Sequence, residues 1–121
     1  MSADLSSLSG EDFCYVTTIG RVTRRPHEIE IWFELEGSTL YLLSGGRDRS
    51  DWVKNLQRTP EVSVRIAEQS FEGRARIVKK KSEDALARRL LVEKYTPRYS
   101  GSLSDWRRRA LPVAINLGED Q

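Results

Sequence analysis

Residues 27–36 alternate without interruption. His27, Ile29, Ile31, Phe33 and Leu35 take one set of positions, and Glu28, Glu30, Trp32, Glu34 and Glu36 take the other. Only an extended strand separates these sets onto two faces, because the 3.6-residue turn of a helix would mix them. Trp32 then stands alone among glutamates, either exposed or buried at a subunit contact. A homodimer accounts for it better than solvent does.

Gly37 and Ser38 turn this strand back as a tight hairpin into a strand at 39–44. Aromatic and β-branched residues mark a first strand at 13–19. Glycine, threonine, proline and the arginines at 21, 24 and 25 make a loop of 20–26. Further strands fall at 61–66, 70–79 and 112–117. A short helix at 48–58 stops before Pro60, and Ser82 caps a longer one. Glu83 and Asp84 fill the first turn of that helix, Leu86, Leu90 and Leu91 form its apolar stripe, and Pro97 ends it. A last helical piece spans 102–109 around Trp106. Small residues at Gly73 and Ala75 predict close packing against another element or a ligand. Six short antiparallel strands with helices outside predict a mainly β fold, a small closed barrel without exposed edges. An open antiparallel sheet with helices on one face is the alternative. Residues 1–12 read as a flexible N-terminal segment, with 1–10 a frayed end or a short helix, and 13–118 as one domain.

Composition narrows the function. Cys14 is the single cysteine and His27 the single histidine, which excludes an internal disulfide and predicts no metal site. Cys14 reads as a small buried hydrophobe and His27 as structural. With 20 basic against 18 acidic side chains, net charge selects no partner. No apolar run reaches the length of a membrane span and the N-terminus has no signal core, so a cytoplasmic protein without an integral membrane segment is expected. Arg88, Arg89 and Arg107 to Arg109 raise nucleic-acid binding, but no aromatics interleave with them and one strand face is acidic. No nucleic-acid partner is expected.

The chemistry concentrates after the strand at 39–44. Ser44, Gly45 and Gly46 lead through Arg47 and Arg49 into a helix carrying Trp52 and Asn55. Glycines at a strand-to-helix turn let backbone N–H groups approach a ligand, and the arginines add fixed positive charge there. The stretch reads as a seat for a phosphorylated cofactor, or as a plain strand–turn–helix connection with a solvated cap. Trp52 likewise reads as groove wall or as core.

Taken together, Thr17, Thr18, Ile19, Gly20, Arg21, Thr23 and Pro26, then Ser44-Gly45-Gly46, Trp52, Asn55, Leu56 and Pro60-Glu61-Val62, resemble the deazaflavin-dependent nitroreductase family. Tyr95, Tyr99, Trp106 and Arg109 before Leu111-Pro112-Val113 resemble that family's closing helix and strand. The resemblance implies a split β-barrel of the pyridoxamine-phosphate-oxidase-like, FMN-binding group, a homodimer binding coenzyme F420, with FMN as the alternative cofactor. Reduced F420 would give a hydride to a small acceptor such as a quinone, nitro compound or enone. Arg21 and Thr23 would lie beside the phosphate, Gly45, Gly46, Arg47 and Arg49 would form the phosphate loop, and Trp52 and Asn55 would line the groove. Thr17 and Thr18 would approach the ring system, and Tyr99 and Trp106 the acceptor. Val22 stands where the family has lysine and Arg24-Arg25 where it has Gly-Gln, so charge recognition passes to Arg24, Arg25, Arg47 and Arg49. A hydroxyl of Tyr99, Ser100 or Ser44 is the candidate hydrogen-bond or proton donor to the acceptor, and Tyr99 reads equally as a partly buried aromatic with its hydroxyl at the surface. A protein that binds a flavin-like cofactor without turnover is the competing class.

Overall fold

The computed structural model describes residues 5–118. Its strands are β1 Cys14–Ile19, β2 Pro26–Ile31, β3 Glu34–Glu36, β4 Thr39–Ser44, β5 Glu61–Ile66, β6 Gln69–Ile77 and β7 Leu111–Leu117. The helices are α1 Asp51–Arg58, α2 Lys81–Tyr95 and α3 Ser104–Arg109. One curled antiparallel sheet holds all seven strands in the order β2-β1-β5-β6-β7-β4-β3. Of the expected flexible segment 1–12, residues 1–4 lie outside the described residues, and Leu5–Gly10 make a 3-10 turn whose Leu8 is buried.

The seventh strand comes from the alternating run at 27–36, which bends at Trp32 and Phe33 instead of continuing. Its first half pairs with β1, Ile29 opposite Val16; its second half pairs with β4, Leu35 opposite Leu40. The two edges of the sheet are therefore consecutive in sequence, and chain continuity across the corner brings them together. Alternation survives the bend because it records which face is dry: Phe33 and Leu35 are buried, and Ile29 and Ile31 pack against the same core.

That core fills the concave side of the sheet. Val16, Leu40, Leu42, Val64, Ile66 and Ile115 meet Val53 and Leu56 of α1 there. Each such side chain contributes about 1.5–3 kcal/mol by leaving water. At Gly73, β7 packs against the bare backbone of β6: a Cβ added to it would lie 2.6 Å from Ile115 Cγ2 and 3.1 Å from Asn116 O. The small-residue signal thus marks strand contact. Gly73→Val is expected to cost about 1–3 kcal/mol through overpacking, read as a lowered urea midpoint.

A second apolar cluster lies on the convex side, where Tyr41, Leu43 and Ala114 meet Ala87, Leu91 and Tyr95 of α2. It explains why β4 is apolar on both faces. It also corrects the reading of Trp32, which stacks on Tyr95 with ring centroids 4.1 Å apart and planes 3° apart. The companion of the lone tryptophan is a helix of its own chain. Ser82 is not the cap of α2: the cap position is Lys80, with no side-chain cap bond.

The first turn of α2 is tied down by Glu83 instead. Arg76 donates to both its carboxylate oxygens at 2.7 Å, and the Tyr41 hydroxyl donates at 2.6 Å. These bonds, Arg76 first, hold the Glu83 carboxyl down to about 2. A carboxylate with a lowered folded-state pKa stabilises above its unfolded value, and that stability disappears as pH falls toward 2. Glu83→Gln is expected to flatten the acid limb of stability between about pH 5 and pH 2, measured by urea unfolding at stepped pH. No helix among the described residues is long and apolar enough to cross a membrane.

Candidate cofactor and acceptor site

Asn55 stitches the arginine loop to α1. It is buried, and its Oδ1 accepts from the Arg21 backbone N–H at 3.1 Å and from Arg21 Nη1 at 2.9 Å. Its Nδ2 donates to Thr18 Oγ1 at 3.1 Å. Arg21 Nη2 reaches Asp51 Oδ1 at 3.1 Å, so the bends at 20–26 and 44–51 meet at this ion pair. The loop is held tight by Gly20 N–H donating to Arg25 O at 2.8 Å and Arg24 N–H to Gly20 O at 2.9 Å. A Cβ on Gly20 would lie 2.6 Å from Thr23 Oγ1 and 2.7 Å from His27 Nε2, so no larger residue fits without displacing both side chains.

A groove of about 420 Å³ opens between this loop, β2 and α1. It gathers Thr18, Arg21, Thr23, Trp52 and Asn55 of the expected residues. His27 and Ile29 line it as well, and the alternation had placed those two on one strand face. Glu28 and Asp51 also line the groove and bring negative charge to it.

Other expected residues lie elsewhere. Thr17 alternates with Thr18 and pairs with Glu28 and Ser63. Arg24 and Arg25 are exposed beside the groove without lining it, and Arg24 holds a left-handed backbone, φ 62°, with its Nη1 donating to Thr59 Oγ1 at 3.3 Å. Gly45, Gly46, Arg47 and Arg49 form an exposed turn outside the groove wall. Arg47 is left-handed too, φ 55°, and donates to the carbonyl of Arg109 at the end of α3. Ser44 is buried: its hydroxyl donates to Arg47 O at 3.0 Å and sits 3.2 Å from Ser50 Oγ, shaping the turn from within.

A second pocket, also about 420 Å³, is aromatic. Trp32, Tyr99 and Trp106 line it with Ile31, Leu43 and Leu103. The ring of Trp32 meets Tyr99 edge-on at 5.7 Å and Trp106 at 5.5 Å, geometries that aromatic quadrupoles favour. Tyr99, expected on the acceptor side, is 47% exposed at this pocket. Trp32 was not expected there; its isolation among glutamates was the available signal. The two pockets take successive same-face residues of β2, Ile29 in the groove and Ile31 in the aromatic pocket.

A family model described as F420H2-dependent quinone reductase matches residues 4–118. The chain belongs to this family. Membership makes the protein an oxidoreductase and F420 its coenzyme. Solved structures give the fold. A conserved hypothetical protein of Mycobacterium tuberculosis superposes with TM-score 0.74 at 19% identity, covering 100% of this chain and 82% of that one. An F420H2-dependent reductase gives TM-score 0.67 at 20% identity over 88% of this chain and 94% of its own. The haem storage protein of Vibrio cholerae also gives 0.67, at 16% identity over 100% and 92%. Such neighbours fix a split β-barrel of the pyridoxamine-phosphate-oxidase-like type, and their differing ligands show that the barrel alone does not choose a cofactor. No curated protein matches the sequence significantly.

Proposed function

We propose that this F420-dependent oxidoreductase holds its cofactor in the Arg21 groove and reduces a planar quinone-type acceptor held in the aromatic pocket. One observation carries the reading: a polar, arginine-bearing groove and an aromatic pocket share strand β2. The groove suits the cofactor. Gly20 lets Thr23 and His27 close over the turn at the groove wall, and Arg21, Thr23 and His27 offer donors to a phosphodiester. Arg24, Arg25, Arg47 and Arg49 stand exposed nearby for an acidic tail. Reduced F420 supplies a hydride when bound, so the protein needs no nucleophile of its own.

The chain's own residues bind and orient. Asn55 fixes the height of Arg21 above α1, and Ile29 and Trp52 give the groove its apolar wall. Trp32, Tyr99 and Trp106 offer ring faces and edges to a flat acceptor. The Tyr99 hydroxyl is the exposed donor that can hold a proton near an acceptor oxygen. Ser44, committed to the turn, is left out of this role.

Purified protein is expected to accelerate oxidation of reduced F420 by menadione, followed by recovery of F420 absorbance. F420 binding without acceptor turnover would leave a cofactor-binding protein and overturn the acceptor half. The same reading takes the protein as a cytoplasmic homodimer. Val22, 83% exposed, and Phe13, 42% exposed, line the two openings and support a subunit contact there. Light scattering gives the mass, and cell fractionation the location.

A further inference from the structure

The corner between β2 and β3 leaves Phe33 outside both ladders, so its backbone groups need partners from elsewhere. Two consecutive side chains at the end of α2 supply them. The Phe33 N–H donates to Tyr95 Oη at 2.9 Å, and Lys94 Nζ donates to Phe33 O at 2.9 Å. Tyr95 Oη also lies 2.8 Å from Asp12 O and 3.0 Å from Phe33 O, and its single proton serves one of these at a time. The Lys94 ammonium sits 3.8 Å from the centroid of the Phe33 ring. Meanwhile the Tyr95 ring lies flat on Trp32.

Lysine is rarely this buried without a reason, since its charge loses hydration. An apolar residue of similar volume would fill this buried position at lower cost. What an apolar residue could not do is hold the Phe33 carbonyl. The clamp fixes the backbone directly after Trp32 on one side and the face of its indole on the other. Neither Lys94 nor Tyr95 lines the aromatic pocket; Trp32 does.

We infer that Lys94 and Tyr95 are positioning residues for the acceptor: through the Phe33 backbone and the Trp32 ring they set the shape of the aromatic pocket without touching its occupant. The inference rests on the acceptor reading of that pocket. It also predicts a pH signature. Burial holds Lys94 down to about 8, against the pull of Glu34, with Arg98, Cys14 and Asp12 also facing the ammonium. Above that pH the Phe33 carbonyl loses a charged donor and the Phe33 ring loses its cation.

The experiment measures menadione affinity by tryptophan quenching, menadione KM and kcat with reduced F420, and F420 affinity separately. Wild type, Tyr95→Phe and Lys94→Met are compared from about pH 6.5 to 9.5. Both variants are expected to raise menadione Kd and KM about five- to tenfold, with kcat and F420 Kd held within about twofold. Wild-type menadione KM should rise through about pH 8, where Lys94 titrates, and the rise should vanish in Lys94→Met. Should Lys94→Met fail to fold, Lys94→Arg serves, since a guanidinium stays charged across the range and should also remove the rise. Folded variants with wild-type menadione affinity and an unchanged pH profile would reduce the clamp to a stabilising feature and overturn the inference. An equal loss of F420 affinity would overturn it too, by showing a general loosening of the barrel. Wild type that binds F420 but no menadione would end the acceptor reading itself, and the inference with it.

Discussion

Arg21→Ala weakens F420 binding by about tenfold or more and leaves the unfolding midpoint nearly unchanged. The first half follows from losing a charge-assisted donor to an anionic ligand, about 1.5–3 kcal/mol when the contact is direct. The second follows from the partners: Asp51 is 84% exposed, and an ion pair so open to water contributes little to stability, while Asn55 Oδ1, which loses Arg21 Nη1, keeps its bond from the backbone N–H of residue 21. Two companion variants make the prediction sharp. Asp51→Asn removes the competing carboxylate and a groove charge, so F420 binding tightens. Asn55→Leu strands the Arg21 N–H and the Thr18 hydroxyl inside the fold, so binding and stability both fall, the latter by about 1–3 kcal/mol. Titration of F420 against each protein, beside urea unfolding, gives the order. An Arg21→Ala protein that binds F420 like wild type would place the cofactor elsewhere.

Trp32→Ala has the largest expected effect on the acceptor side. Truncation removes the stack on Tyr95 and the edge contacts with Tyr99 and Trp106 together. Loss of a large packed aromatic costs about 3–5 kcal/mol, toward the lower end here because the ring is only half-buried. Menadione KM should rise more than about tenfold while F420 affinity stays close to wild type, a split that separates pocket from groove. Trp32→Phe keeps a ring on Tyr95 and is expected to recover most of the stability. A Trp32→Ala protein with normal menadione KM would remove the aromatic pocket from the reaction.

Much of the groove is legible in the sequence because its parts are local there. Thr18, Arg21 and Thr23 sit on one strand and the turn after it, Trp52 and Asn55 sit four residues or fewer apart on one helix, and family spacing ties the two groups together. The glycine turn is legible as a strand-to-helix connection, but its place outside the groove wall is not. Nothing local states that Arg47 reaches across to the last carbonyl of α3, or that Ser44 faces inward. Lys94 carries no local signal of its role for the same reason. A lysine at the end of a helix reads as a favourable solvated charge, and the carbonyl it serves belongs to a residue 61 positions earlier.

The sequence by itself determined most of the extended stretches, the dry face of the strands that alternate, the turns at 20–26, 37–38 and 44–46, and the family to which its motifs belong. These follow from side-chain period and backbone preference, which act over a few residues. Tertiary structure alone decided that residues 27–36 change partners at Trp32 and Phe33, that the two sheet edges are thereby neighbours in sequence, and that α2 clamps the corner between them. Backbone groups released from one ladder must find partners wherever the fold brings them, and hydrogen-bond satisfaction at that distance leaves no periodic trace in the chain.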